Sequence, residues 1–254
     1  MQAASRFARS NDSSRPLLAV YFPLGDPEIV VDLLDVYAEN RVDIVELGWP
    51  ARDPYLDGPD MRDSMARALR GDPCDALRQA RLWLAGRAGA PNTLLMTYAE
   101  ADHPALAAAD FFRGLDALLA IAPLGDPHRD ALEARARRSG VAVSAFVPLP
   151  LEEACVEAAR RADGYVMLQA APGVTGPRAK LDPANRERIG QLLAAGVAAP
   201  IVLGFGVSNG AQARAAIELG ADGVVVGSAA LRAARRGSAA LDALLRDLRD
   251  GLDG

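Results

Sequence analysis

The chain has 254 residues but only two cysteines, two histidines, two tryptophans and a single lysine, Lys180. Each scarcity excludes a kind of chemistry. Cys74 and Cys155 are too few for a disulfide scaffold or a zinc ligand pattern, and they fit a reduced interior. A Schiff-base aldolase needs a lysine on a strand, whereas Lys180 falls in the loop before the seventh strand candidate. No apolar run reaches membrane-spanning length, and the opening MQAASRFARSNDSSRP lacks the apolar segment of a signal peptide. A soluble, cytoplasmic protein is expected. Net charge is −5 with acids and bases interspersed, so neither nucleic acid nor an anionic membrane is an expected partner. The one basic cluster, RAARRG at 232–237, reads as a solvated helix face.

Half of the residues are hydrophobic, and the length suits one α/β barrel, so residues 1–254 are expected to form a single domain. Eight short β-type runs alternate with longer helical patterns: LLAVYF (17–22), VDIVELG (42–48), TLLMTY (93–98), ALLAIAP (117–123), VAVSAFVP (141–148), GYVMLQA (164–170), PIVLGFG (200–206) and DGVVVGS (222–228). Most are continuously apolar, as parallel strands covered on both faces should be. Amphipathic stretches lie between them, such as EIVVDLLDVYAEN (28–40) and RDALEARARRSG (129–140), the latter stopping at Gly140. The pattern predicts a TIM (β/α)8 barrel, with an extra helix around residues 2–9 before the first strand.

In such barrels the chemistry sits where strands end and βα loops begin. The seventh run ends in GFG and the eighth in Gly227-Ser228, which leads directly into a short helix; GVTG (173–176) follows the sixth and can close over the same corner. Glycines let the backbone approach an oxyanion, and N–H groups at a helix N-terminus present partial positive charge to it. Taken singly, each glycine reads as an ordinary turn; clustered on neighbouring strands they read as a phosphate cradle. Across the mouth, Glu46 sits where the second strand meets its loop, and Asp57 lies further along that loop. Ile44, Leu47 and Trp49 would desolvate Glu46 and raise its pKa, fitting it to donate and accept a proton, while Asp57 is better placed to stay ionised. Taken alone, the two acids also read as a rim charge and a helix cap. Asp102-His103 and Asp126-x-His128 follow adjacent strands and would offer metal ligands only if they met, but both pairs read as helix N-terminal residues. No metal and no cofactor is expected.

The motifs FPLGDP (22–27), ELGWPARDPYLDGP (46–59), GVTG, GFGVS (204–208) and VVVGS (224–228), in that order across nearly the whole chain, resemble the tryptophan synthase alpha chain family. The resemblance implies a carbon–carbon lyase that cleaves indole-3-glycerol phosphate into indole and glyceraldehyde 3-phosphate. It implies Glu46 as catalytic acid/base and Asp57 as the partner of the indole N–H. The phosphate would lie on the backbone around Gly176, Gly206, Gly227 and Ser228, with Phe22, Arg52, Tyr98, Met167 and Thr175 in the pocket. It also implies a tryptophan synthase beta chain as a possible partner. Departures weigh against tight control by one. The family's phenylalanine-serine in the long loop is Ala51-Arg52, its tyrosine on the sixth strand is Met167, its arginine-serine before GVTG is Ala171-Pro172, and an aspartate after the fourth strand is Ile121. Two other readings stay open: a related barrel lyase or isomerase for a different phosphorylated substrate, and a non-catalytic phosphate-binding activator subunit.

Overall fold

The computed structural model describes residues 7, 15–85, 87, 89–99, 103–108, 110–176 and 180–254. Apart from Phe7, the helix expected around residues 2–9 lies outside them. The apolar runs form nine parallel segments: β1 (Leu17–Pro23), β2 (Ile44–Gly48), β3 (Asn92–Tyr98), β4 (Ala117–Ile121), β5 (Ala142–Val143), β6 (Ala145–Val147), β7 (Val166–Gln169), β8 (Ile201–Gly204) and β9 (Gly223–Val226). Their order is β5-β4-β3-β2-β1-β9-β8-β7-β6. The two ends of that order are consecutive pieces of the single run 141–148, so the sheet closes into the expected TIM barrel. The break falls at Ser144, whose N–H donates to Leu118 O at 2.8 Å while the next N–H, of Ala145, turns to Tyr165 O at 3.0 Å. Every residue of β2, β4, β7, β8 and β9 is buried, which is why these strands carry no polar alternation.

The helices are α1 (Leu33–Glu39), α2 (Pro59–Ala68), α3 (Pro73–Leu84), α4 (Pro127–Arg138), α5 (Glu153–Arg160), α6 (Asn185–Ala194), α7 (Gly210–Glu218), α8 (Ser228–Arg235) and α9 (Ser238–Asp253). Several ends are written locally. Proline opens α2, α3 and α4 at the first turn, where its missing N–H costs nothing. Asp126 caps α4 by accepting from the N–H groups of His128 and Arg129. Gly140, where the helical pattern was expected to stop, follows α4 in the left-handed conformation with φ +74°.

A fourfold motif closes the N-terminal ends of the strands. Asp43, Asp116, Asp163 and Asp222 each accept an N–H from the first two residues of the preceding strand, from Leu18, Thr93, Val143 and Ile201, at 2.7–2.9 Å. Each also returns its own N–H to the carbonyl of the same residue. Two hydrogen bonds thus lock the register of one strand pair in every quarter of the barrel. A one-residue slip would break both and turn each inward side chain outward. Among the described residues no helix is long and apolar enough to cross a membrane.

Candidate active site

Glu46 lies opposite Tyr21 of β1 in the sheet register. Both side chains point into the barrel, because alternate residues of a strand face opposite sides. They line one small cavity of about 50 Å³ at the C-terminal mouth, with Asp57, Tyr98, Met167 and Gly227 among its other walls. Glu46 is 3% exposed and its Oε1 has no hydrogen-bond partner among the described residues. Burial, and secondarily the Asp57 carboxylate, pushes its carboxyl up to about 8. The cavity walls are not those expected: Ile44 and Leu47 do not line it, and Trp49 turns outward, its ring edge-on to Phe111 and His103 at 5.3 Å. Met96, Leu119 and Ile121 line the cavity instead.

Asp57 sits on the loop after β2 in a different setting. Tyr98 OH donates to its Oδ2 at 2.7 Å and Thr175 OH to its Oδ1 at 3.0 Å. Burial raises the Asp57 carboxyl above the usual range, while those two hydrogen bonds and the Arg62 guanidinium pull the other way. Thr175 also accepts the Gly58 N–H at 2.9 Å, and its own N–H donates to Leu56 O at 3.0 Å. The loops after β2 and β7 are thereby zipped together over the cavity. Their approach is close enough that a Cβ at Gly58 would collide with the Thr175 carbonyl oxygen. Glycine is required there.

At the opposite corner, Gly227 precedes α8 and Ser228 is its first residue, so the first N–H groups of α8 face the mouth. Gly206, with φ +113°, ends the GFG turn after β8, and Gly176, with φ +158°, follows Thr175. Gly227 alone of these four lines the cavity itself.

The pocket expectations divide. Tyr98, Met167 and Thr175 line the cavity; Phe22 and Arg52 do not. Phe22 has the opposite strand parity and packs edge-on against Tyr37 of α1, with ring centroids 6.1 Å apart. Its neighbour Tyr21 takes the inward place. Arg52 is exposed, and the cation beside Asp57 is Arg62, whose Nε donates to the Asp57 carbonyl at 2.7 Å. Sequence reasoning also missed Phe205, which lines the cavity from the GFG turn in the left-handed conformation, φ +69°. A non-glycine residue between two glycines was the available signal. Lys180 is exposed in the loop after β7. His103 caps a 3₁₀ turn (Pro104–Ala107) by accepting the Ala105 N–H, and Asp102 lies outside the described residues. His103 also comes near Asp72 and Cys74, all three donor atoms lying within 4.8 Å of one another, a juxtaposition of residues far apart in the chain. Asp72 accepts the Cys74 N–H at 2.9 Å, so Asp72 and His103 both act as caps in this arrangement.

Comparison with known proteins agrees with this architecture. A family model described as tryptophan synthase alpha chain matches residues 7–248. The tryptophan synthase alpha chain of Geobacter sulfurreducens is 32% identical, over 93% of this chain and 91% of its own length. That of Xanthomonas oryzae pv. oryzae is 33% identical, over 98% and 97%. Among solved structures, tryptophan synthase from Mycobacterium tuberculosis superimposes with a TM-score of 0.77 at 27% identity, covering 94% of this chain and 93% of that one. The chain belongs to the tryptophan synthase alpha chain family.

Proposed function

We propose that the chain is a lyase that cleaves indole-3-glycerol phosphate into indole and glyceraldehyde 3-phosphate, with Glu46 and Asp57 as its working groups. The observation that carries this reading is the contrast between two carboxylates at one cavity. Glu46 is unpartnered and pushed to about 8, so at neutral pH it holds a proton it can give away. Asp57 is held by two hydroxyl donors, which favours its charged form.

The chemistry follows from those states. Glu46 gives its proton to C3 of the indole, and the ring nitrogen becomes positive. Asp57 accepts a hydrogen bond from the ring N–H and stabilises that charge. The Glu46 carboxylate then takes the proton of the hydroxyl on the attached glycerol carbon. As that oxygen forms its carbonyl, the carbon–carbon bond breaks and its electron pair restores the aromatic ring. Glu46 ends as it began. The N–H groups around Gly176, Gly206, Gly227 and Ser228 would hold the phosphate against the positive end of α8.

Thr175 holds the two loops together over the cavity through Asp57 and Gly58, so substrate entry is expected to part them. A beta chain acting on this loop region belongs to the same reading, since the relatives are named alpha chains. Arg52, exposed and outside the cavity, lends no support to a pocket remodelled for a different phosphorylated substrate.

Purified protein incubated with indole-3-glycerol phosphate is expected to release indole, and Glu46→Gln to lower kcat by about a thousandfold. No indole from the wild type, with and without a beta chain, rejects the reading.

A further inference from the structure

The mechanism leaves one polar group at the cavity without work. Tyr21 is 2% exposed, and its hydroxyl has no hydrogen-bond partner among the described residues. A buried phenol usually finds one, because leaving it unpaired costs roughly 1–3 kcal/mol. The ring is also wedged in place. It fills the inward slot above Gly48, where any Cβ would collide with its Cε2, Cζ and hydroxyl atoms. Gly48 and Glu46 face the same side, two residues apart on β2. The Tyr21 hydroxyl therefore lies over the strand that carries Glu46, and both unpartnered oxygens belong to one cavity.

Resting on the lyase reading, we infer that Tyr21 is a further substrate-contacting residue, whose hydroxyl donates a hydrogen bond to the oxygen that Glu46 deprotonates. Location assigns the atom. Asp57 and its two hydroxyl donors occupy the loop side of the cavity, where the ring nitrogen would lie. Tyr21 is instead the register partner of Glu46 itself, and its hydroxyl lies over Gly48 on the same inward face of β2. The balance of the step is unchanged. The substrate O–H proton passes to Glu46, the carbon–carbon pair returns to the ring, and the phenol keeps its own proton while its dipole steadies charge growing on the oxygen. Burial, then the Asp57, Glu46 and Asp26 carboxylates, raise the phenol far above its ordinary pKa, consistent with a donor that never ionises.

The test is Tyr21→Phe, which keeps the ring and removes only the hydroxyl. Indole release should show kcat reduced about 10–100-fold with KM little changed, the pattern of an interaction made chiefly in the transition state. An analogue lacking the hydroxyl on the ring-bearing carbon should bind wild type and variant equally. Unchanged kcat overturns the inference. So does a variant that binds the analogue as much more weakly as it turns over substrate, which would make the hydroxyl a packing element. Wild type that releases no indole removes the lyase reading and this inference together; wild-type turnover with an unaffected variant removes only the latter.

Discussion

Glu46 illustrates how one side chain links function to stability. A carboxyl held near 8 in the fold but near 4.5 in an unfolded chain stays neutral while its unfolded counterpart ionises. The sign is that of a raised pKa: the neutral carboxyl is tolerated fully below about pH 4.5, and stability drains away as pH climbs towards 8, where the loss is complete. The penalty is on the order of 4 kcal/mol. Glu46→Gln, of similar shape but without an ionisable carboxyl, should escape it. Urea unfolding of both proteins at about pH 5 and about pH 9 is the check: the variant's advantage should widen by several kcal/mol at the higher pH. Parallel pH dependence would mean that Glu46 is hydrated in the fold. Asp57 shows why position alone is a poor guide to charge, since it is equally buried yet has Tyr98, Thr175 and Arg62 to counter the same desolvation.

Two loops meet at the scale of elements. The ELGWPARDPYLDGP loop ends in Gly58 at the start of α2, and GVTG follows β7; Thr175 spans them by donating to Asp57 and accepting from Gly58. Thr175→Val keeps the shape and deletes both bonds. It should lower kcat/KM about tenfold, with much of the loss in KM, because the loops close less readily over substrate. Unaltered steady-state kinetics would detach this contact from closure. The glycines of GVTG were legible in the sequence as places of close backbone approach, and so was the presence of an acid in the long loop. That Asp57 and Thr175 share a hydrogen bond was not, because 118 positions separate them and only barrel closure brings β2 and β7 to one mouth.

Across the whole molecule the two ends of the barrel divide the labour, chemistry at the strand C-termini and cohesion at the N-termini. Arg249 of α9, 3% exposed, reaches beneath the barrel and donates to Pro16 O at 3.0 Å, Arg41 O at 2.7 Å and Asp43 Oδ2 at 2.7 Å. It joins the final helix to the turn before β2 and to one of the four register-locking aspartates. Arg249→Met would remove one of the two guanidinium partners of Asp43, which keeps Arg15, and leave two carbonyls without this donor, at a cost of about 2 kcal/mol. The urea midpoint should fall while kcat stays within about twofold of wild type, since no group at the mouth is touched. Equal losses of stability and kcat would mean that the two ends are coupled.

Hydrophobic periodicity by itself determined the barrel, because parallel strands covered on both faces must be apolar throughout, and those runs are counted directly along the chain. Glycine and acid positions at the ends of those runs likewise marked the mouth. Only the tertiary structure decided which of two nearby residues looks inward: Tyr21 and not the adjacent Phe22, Glu46 and not Trp49 three positions on. A strand's two faces differ by one residue, and in a run apolar on both sides nothing local distinguishes them. The proton affinity of Glu46 was decided there too, since desolvation is set by every wall of the cavity at once, and those walls come from strands distant in sequence.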